Sequence, residues 1–200
     1  MTIYKIGVLS LQGDFLEHIQ LLKEIENVKP VIVKKSEDLL DIDALIIPGG
    51  ESTTIGDMIF YKKLDEPIRN FAREGKPILG TCAGAILLAK KVSDKVVGET
   101  NQRTLELMKI TVLRNVFGRQ KDSFIINVET KIGKLKAAFI RAPGIIDAQP
   151  PAEIIGYIDH PATGKIGILA IQDNLIAATF HPEITGEKIL YQYIITLIKK

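Results

Sequence analysis

Tryptophan is absent from this 200-residue chain, cysteine occurs once, and basic and acidic side chains nearly cancel at 26 against 24. Each shortage excludes something. One cysteine forms no internal disulfide and supplies too few soft ligands for a structural zinc site, so no metal is expected and a reducing cytoplasm fits. A net charge of +2 without a long run of either sign leaves no electrostatic footprint for nucleic acid. Charges or glycines interrupt every apolar run before it reaches the length of a bilayer span, so no membrane helix is expected. Met1 to Gly13 carries no basic region, long hydrophobic stretch or small-residue cleavage site of a signal peptide. Neither G-x-x-x-x-G-K-S/T nor G-x-G-x-x-G occurs, which removes the common phosphate loops.

What remains is 46% hydrophobic and 25% charged, the composition of one globular domain over residues 1–200 with a full core. Short β-rich runs alternate with helical periods, the pattern of a sheet with helices on both faces. Lys5 to Leu9, Pro30 to Val33, Ala44 to Ile47 and Ile78 to Gly80 read as buried strands. Phe15, Ile19, Leu22 and Ile25 have helical spacing within Asp14 to Glu26, and Ser52 is the expected N-cap of a helical stretch running through Phe71. The second half is richer in strands: Ile110 to Leu113, Phe124 to Val128, Ala137 to Ile140, Glu153 to Tyr157, Ile166 to Ile171 and Leu175 to Thr179, several of them antiparallel. Thr185 is the expected N-cap of a final helix with Ile189, Tyr193, Thr196 and Leu197 at helical spacing. No linker, repeat or low-complexity segment breaks the chain.

The lone cysteine stands in Gly80-Thr81-Cys82-Ala83-Gly84, between a buried strand and an apolar helix. Glycines on either side allow the sharp strand-to-helix turn that exposes a nucleophile above a sheet, and a helix N-terminus favours a thiolate. A buried, inert cysteine is the commoner fate of such a residue, but the G-x-C-x-G setting favours a nucleophile. A base and an orienting acid are offered by Phe180-His181-Pro182-Glu183, where residues two apart in an extended segment share a face. His18, within the first helix, and His160, followed by Pro161-Ala162-Thr163 with no acid, are expected to be structural or exposed. Pro48-Gly49-Gly50-Glu51-Ser52 ends another strand in a glycine turn whose amides, with that of Ala83, suit an oxyanion hole; an ordinary tight turn is the equal alternative.

These residues carry a resemblance to class I (triad) glutamine amidotransferases, and within them to the glutaminase subunits of pyridoxal 5'-phosphate synthase. Six blocks in order support it across nearly the whole chain: Leu11-Gln12-Gly13-Asp14, Pro48 to Thr54, Gly80 to Gly84, Arg114 to Gln120, Phe139 to Pro143, and Phe180 to Glu183. Ile86 stands where many relatives in other amidotransferase pathways have glutamine, which fits the pyridoxal branch. The resemblance implies a flavodoxin-like three-layer α/β/α fold with a mixed, mostly parallel sheet. It implies a Cys82-His181-Glu183 triad and an oxyanion hole at Gly50 and Ala83. It places L-glutamine across Gly50, Glu51, Ser52, Arg114, Ile140 and Arg141, with Asn115, Arg119 and Gln12 as further candidates. It implies no cofactor, and as partner a synthase subunit (PdxS/SNZ type) in a hetero-oligomeric complex that combines the ammonia with pentose and triose phosphates. Two rivals remain: a cysteine hydrolase of the DJ-1 and PfpI group, and a noncatalytic binding subunit that keeps the fold.

Overall fold

A computed structural model of the chain describes residues 2–94, 98–118, 123–161 and 163–198. Strands β1 (Tyr4–Leu9), β2 (Val28–Val33), β3 (Ala44–Ile47), β4 (Ile78–Thr81) and β13 (Leu175–Ala178) run parallel in the order β2-β1-β3-β4-β13. All four residues of β3, β4 and β13 are buried, because helices cover both faces of the sheet. Ile6, Val8, Ile46 and Leu79 share a core with α1 (Phe15–Lys23) and α6 (Ile189–Ile198). Their neighbours Leu45, Ile47 and Ile78 share the opposite core with α2 (Ser52–Tyr61), α3 (Asp65–Arg73) and α4 (Ala83–Leu88). The period-two alternation of side chains along each strand thus builds the three α/β/α layers.

Beyond β13 the sheet continues through β12 (Gly164–Gln172), β10 (Gly144–Ala148), β7 (Met108–Arg114), β5 (Ala89–Asp94) and β6 (Gly98–Glu99), mostly antiparallel, with β5 parallel to β7. An antiparallel branch of β11 (Glu153–His160), β8 (Phe124–Thr130) and β9 (Gly133–Phe139) leaves from β12. The turn of helix α5 (Pro182–Thr185) precedes α6. Among the described residues no helix is long and apolar enough to cross a membrane.

Several local expectations change. Ser52 is the first residue of α2, not its cap; Glu51 is the cap, and its carboxylate accepts the N–H groups of Thr53 (3.0 Å) and Thr54 (2.7 Å). The expected helix through Phe71 is two helices, separated where Lys63 takes φ +55°. Thr185 closes α5, which ends at Gly186 in the left-handed region, and α6 starts four residues later. Its buried stripe is Leu190, Tyr191, Ile194 and Leu197, one register away from the expected Tyr193 and Thr196.

The start of α4 packs directly under β3. A Cβ on Gly84 would lie 2.0 Å from the Ile47 carbonyl oxygen, a backbone atom that cannot swing aside. Gly84→Ala is therefore expected to destabilise the fold by about 3 kcal/mol, seen as a lower urea midpoint at unchanged slope.

Candidate active site

The site forms at the carboxyl ends of the two central parallel strands. Ala178 of β13 pairs with Thr81 of β4, so the residues just past each strand emerge together at one edge, where open α/β sheets commonly bind ligands. Cys82 comes directly after β4, and His181 comes three residues after β13.

Cys82 occupies the elbow at φ +47°, ψ −103°, a conformation that side chains other than glycine rarely adopt. Its neighbours hold it there: the Cys82 N–H donates to the Ala178 carbonyl at 2.8 Å, and its own carbonyl accepts the Ala85 N–H at 3.1 Å. The strained turn is thus pinned to the sheet on one side and to α4 on the other.

His181 is fixed from behind and beside. Its backbone N–H donates to Ala138 of β9 at 2.9 Å, and Nδ1 donates to Glu183 Oε1 at 2.6 Å. The Cys82 sulfur lies close enough to the imidazole to favour its protonated form. Burial alone would lower the pKa of His181, but the Cys82 sulfur and the Glu183 carboxylate outweigh it and raise the value to about 11. Burial likewise pushes the Glu183 carboxyl up, while His181 and His18 hold it below the usual carboxylate range. Charge on the pair is therefore mutually stabilised inside a nearly closed site. Asp14 Oδ2 approaches His181 Nδ1 at 3.5 Å; its pKa is raised by burial against the opposing pull of His181. Asp14, His181 and Glu183 bring three potential ligand atoms within 4.8 Å, but His181 Nδ1 already donates to Glu183.

A cavity of 290 Å³ opens beside the sulfur, lined by Gly50, Glu51, Ser52, Cys82, Ala83, Ile86, Arg114, Asn115, Arg141 and Pro143. This volume is close to the lower end, roughly 300 Å³, of small-ligand pockets. A larger cavity of 690 Å³ between β10, β11 and β12 shares no residue with it and holds no part of the triad.

The expected substrate residues divide within this pocket. Arg114 Nη1 donates to Gln102 Oε1 at 2.8 Å, and its other nitrogens lie 3.7 Å from Glu51 and 3.8 Å from Asp94. The guanidinium is thereby oriented along the pocket wall. Glu51 lines the pocket, but its carboxylate is occupied by capping α2. Ser52 is buried, with Oγ donating to Gln102 at 3.3 Å. Arg141 is exposed at φ +48°. Ile140 sits just behind it, outside the pocket lining. Arg119 and Gln120 lie outside the described residues. At the glycine turn, Gln12 Oε1 accepts the Glu51 N–H at 3.0 Å. Gly50 stands at φ +146°, where a Cβ would meet that same oxygen at 2.6 Å.

The sequence model of the SNO glutamine amidotransferase family matches residues 8–200. The chain belongs to that family. It is 52% identical to the pyridoxal 5'-phosphate synthase subunit PdxT of Hyperthermus butylicus over 195 residues, 97% of this chain and 96% of that one. It is 45% identical to the PdxT subunit of Aeropyrum pernix, across 98% of this chain and the full length of the other. A crystal structure of a glutamine amidotransferase superimposes with a TM-score of 0.86 at 37% identity, covering 98% of this chain and 99% of the other.

For this glutamine amidotransferase the residues missed from sequence are the polar ones behind the triad. His18, expected to be structural or exposed, is fully buried, and it approaches Glu183 from the side opposite His181. Its position carried a signal: three residues after Phe15 and four before Leu22, it lies on the apolar stripe of α1. Gln102 and Asp94, which hold Arg114, had no such marker. His160 stacks on Phe124 within an aromatic cluster remote from Cys82.

Proposed function

We propose that residues 1–200 act as one glutaminase domain that hydrolyses L-glutamine and passes the ammonia to a synthase subunit making pyridoxal 5'-phosphate in the cytoplasm. The observation that carries this reading is the 2.6 Å hydrogen bond from His181 to Glu183 together with a pocket lined by both Cys82 and Arg114, where the Cys82 sulfur helps raise the imidazole's pKa. The relatives' common name as a synthase subunit supports the pathway.

In this mechanism the Cys82 thiolate attacks the carboxamide carbon of glutamine. The negative oxygen of the tetrahedral intermediate meets the amides of Gly50 and Ala83. The His181 imidazolium gives its proton to the departing nitrogen, ammonia leaves, and a γ-glutamyl thioester remains. The neutral imidazole then takes a proton from water, the hydroxide attacks the thioester carbon, and glutamate departs as the thiolate is restored. Glu183 keeps the imidazole oriented and stabilises its charge in both halves. Arg114 offers a planar pair of donors to the α-carboxylate. No cofactor enters these steps.

Ammonia release by the purified chain is expected to be weak alone and to rise on addition of the matching synthase subunit. Vigorous turnover by the isolated chain would overturn the partner dependence. A complex that forms yet releases no ammonia would favour a noncatalytic binding subunit.

A further inference from the structure

The mechanism uses one face of Glu183, and the other face is built as well. Oε1 accepts from His181, whereas Oε2 is fully buried and has no hydrogen-bond partner at ordinary geometry. His18 Nε2 stands 3.4 Å from that oxygen and 3.1 Å from Thr81 Oγ1, the residue just before the nucleophile. On the far side of the ring, His18 Nδ1 lies 2.7 Å from the hydroxyl of Tyr191, itself fully buried in α6. A stranded carboxylate oxygen in a dry interior is costly, and the ring nitrogen is placed to relieve it.

The proton positions follow from the surroundings. Burial keeps the His18 ring neutral, with its pKa below the ordinary histidine value despite the nearby Glu183 charge. Burial, with that same charge, holds the Tyr191 phenol well above its ordinary value, so it keeps its proton. A neutral phenol donates to Nδ1, which leaves the ring proton on Nε2, directed at Glu183 and Thr81. The ionisable groups around Glu183 are then His181 beside it, His18 from α1, Asp14 and Glu17 at the start of that helix, Tyr191 from α6 and Cys82 at the elbow.

We propose that His18, locked in one tautomer by Tyr191, is a positioning residue that holds the Glu183 carboxylate against His181 during glutamine hydrolysis. The chain of contacts runs from Tyr191 through His18 and Glu183 to His181 and Cys82, so the first and last helices of the sheet's one face set the geometry of the reacting pair. This inference rests on the glutaminase reading.

The test uses the full chain assembled with its synthase subunit, where ammonia release by the wild type and its loss in Cys82→Ala establish that reading first. The key variant combines His18→Leu with Tyr191→Phe, which removes both members of the buried pair and strands neither. Its kcat is expected to fall about ten- to hundredfold with KM within about twofold of wild type. The acid limb of kcat/KM should move to higher pH, because Glu183 loses a neighbour that favours its charged form. His18→Gln, which can place an amide N–H near the position of Nε2, should restore most of kcat. The pH profile of Cys82 alkylation by iodoacetamide reads the same shift without turnover, so it still tests His18 if glutamine is not the substrate. A folded double variant with wild-type kcat and wild-type pH profiles would overturn the proposal, as would a loss that His18→Gln fails to restore. Should the double variant not fold, Tyr191→Phe alone decides: a kcat drop of roughly fivefold at constant KM supports the tautomer lock, and no change overturns it.

Discussion

Cys82→Ala in the assembled enzyme is expected to abolish glutamine hydrolysis, a fall of about 10⁴-fold or more in kcat, while the protein stays folded. The reasoning separates chemistry from stability. No other cysteine exists in the chain to substitute for the nucleophile, and neither Thr81 nor Ser52 is free to take over: Thr81 Oγ1 faces His18, and Ser52 Oγ donates to Gln102. The backbone at Cys82, by contrast, is strained at φ +47°, whatever side chain it carries. Alanine keeps that strain and should leave the thermal midpoint close to wild type. Cys82→Gly relieves it and should be both inactive and more stable, by about 1 kcal/mol. Such an inverse relation would mark the elbow as a place where stability is given up to present a sulfur. Hydrolysis that survives either substitution would remove Cys82 as the nucleophile.

The same elbow explains how much of the molecule was legible in sequence. β3, β4 and β13 were visible because strands buried on both faces are apolar at every position, and a glycine-rich turn ends two of them. The proposed triad residues drew notice for a related reason: a nucleophile flanked by glycines and an acid two residues from a histidine are local patterns. What failed was either masked by polar residues or dependent on distant contact. β5 reads Ala-Lys-Lys-Val-Ser-Asp and gave no strand signal, yet it pairs with β7 near the sheet's edge. The cap of α2 was misplaced by one residue because a serine is the usual choice, whereas here the longer Glu51 folds back on the helix start. His18 was read simply as a residue of the first helix, structural or exposed; the acid it approaches, Glu183, is 165 positions away and reaches it only because α1 and α5 meet at the same edge of the sheet.

Glu183→Gln tests the electrostatic half of the site, and a kcat loss on the order of 10³-fold is expected. Glutamine is nearly isosteric, so the pocket keeps its shape while the negative charge beside His181 disappears. In the wild type the imidazole's raised pKa, about 11, keeps the proton needed by the leaving ammonia across the whole working range. The sign of the change follows directly. Burial lowers the imidazole's pKa, and the Cys82 sulfur and Glu183 oppose that; with one opponent gone, the value falls. The alkaline limb of kcat should therefore move down from near pH 11 into the accessible range. Stability carries the same signature. Because the folded pKa lies above the unfolded value of 6.5, the native state binds more protons between the two, so the contribution of His181 is complete below pH 6.5 and is lost as pH rises through about 11. In Glu183→Gln that window narrows from its upper end, so the unfolding midpoints of mutant and wild type should differ most near neutral pH and converge as pH rises toward about 11. An unshifted alkaline limb with an intact fold would show that Glu183 does not set the charge on His181, leaving the Cys82 sulfur as the dominant influence on the imidazole.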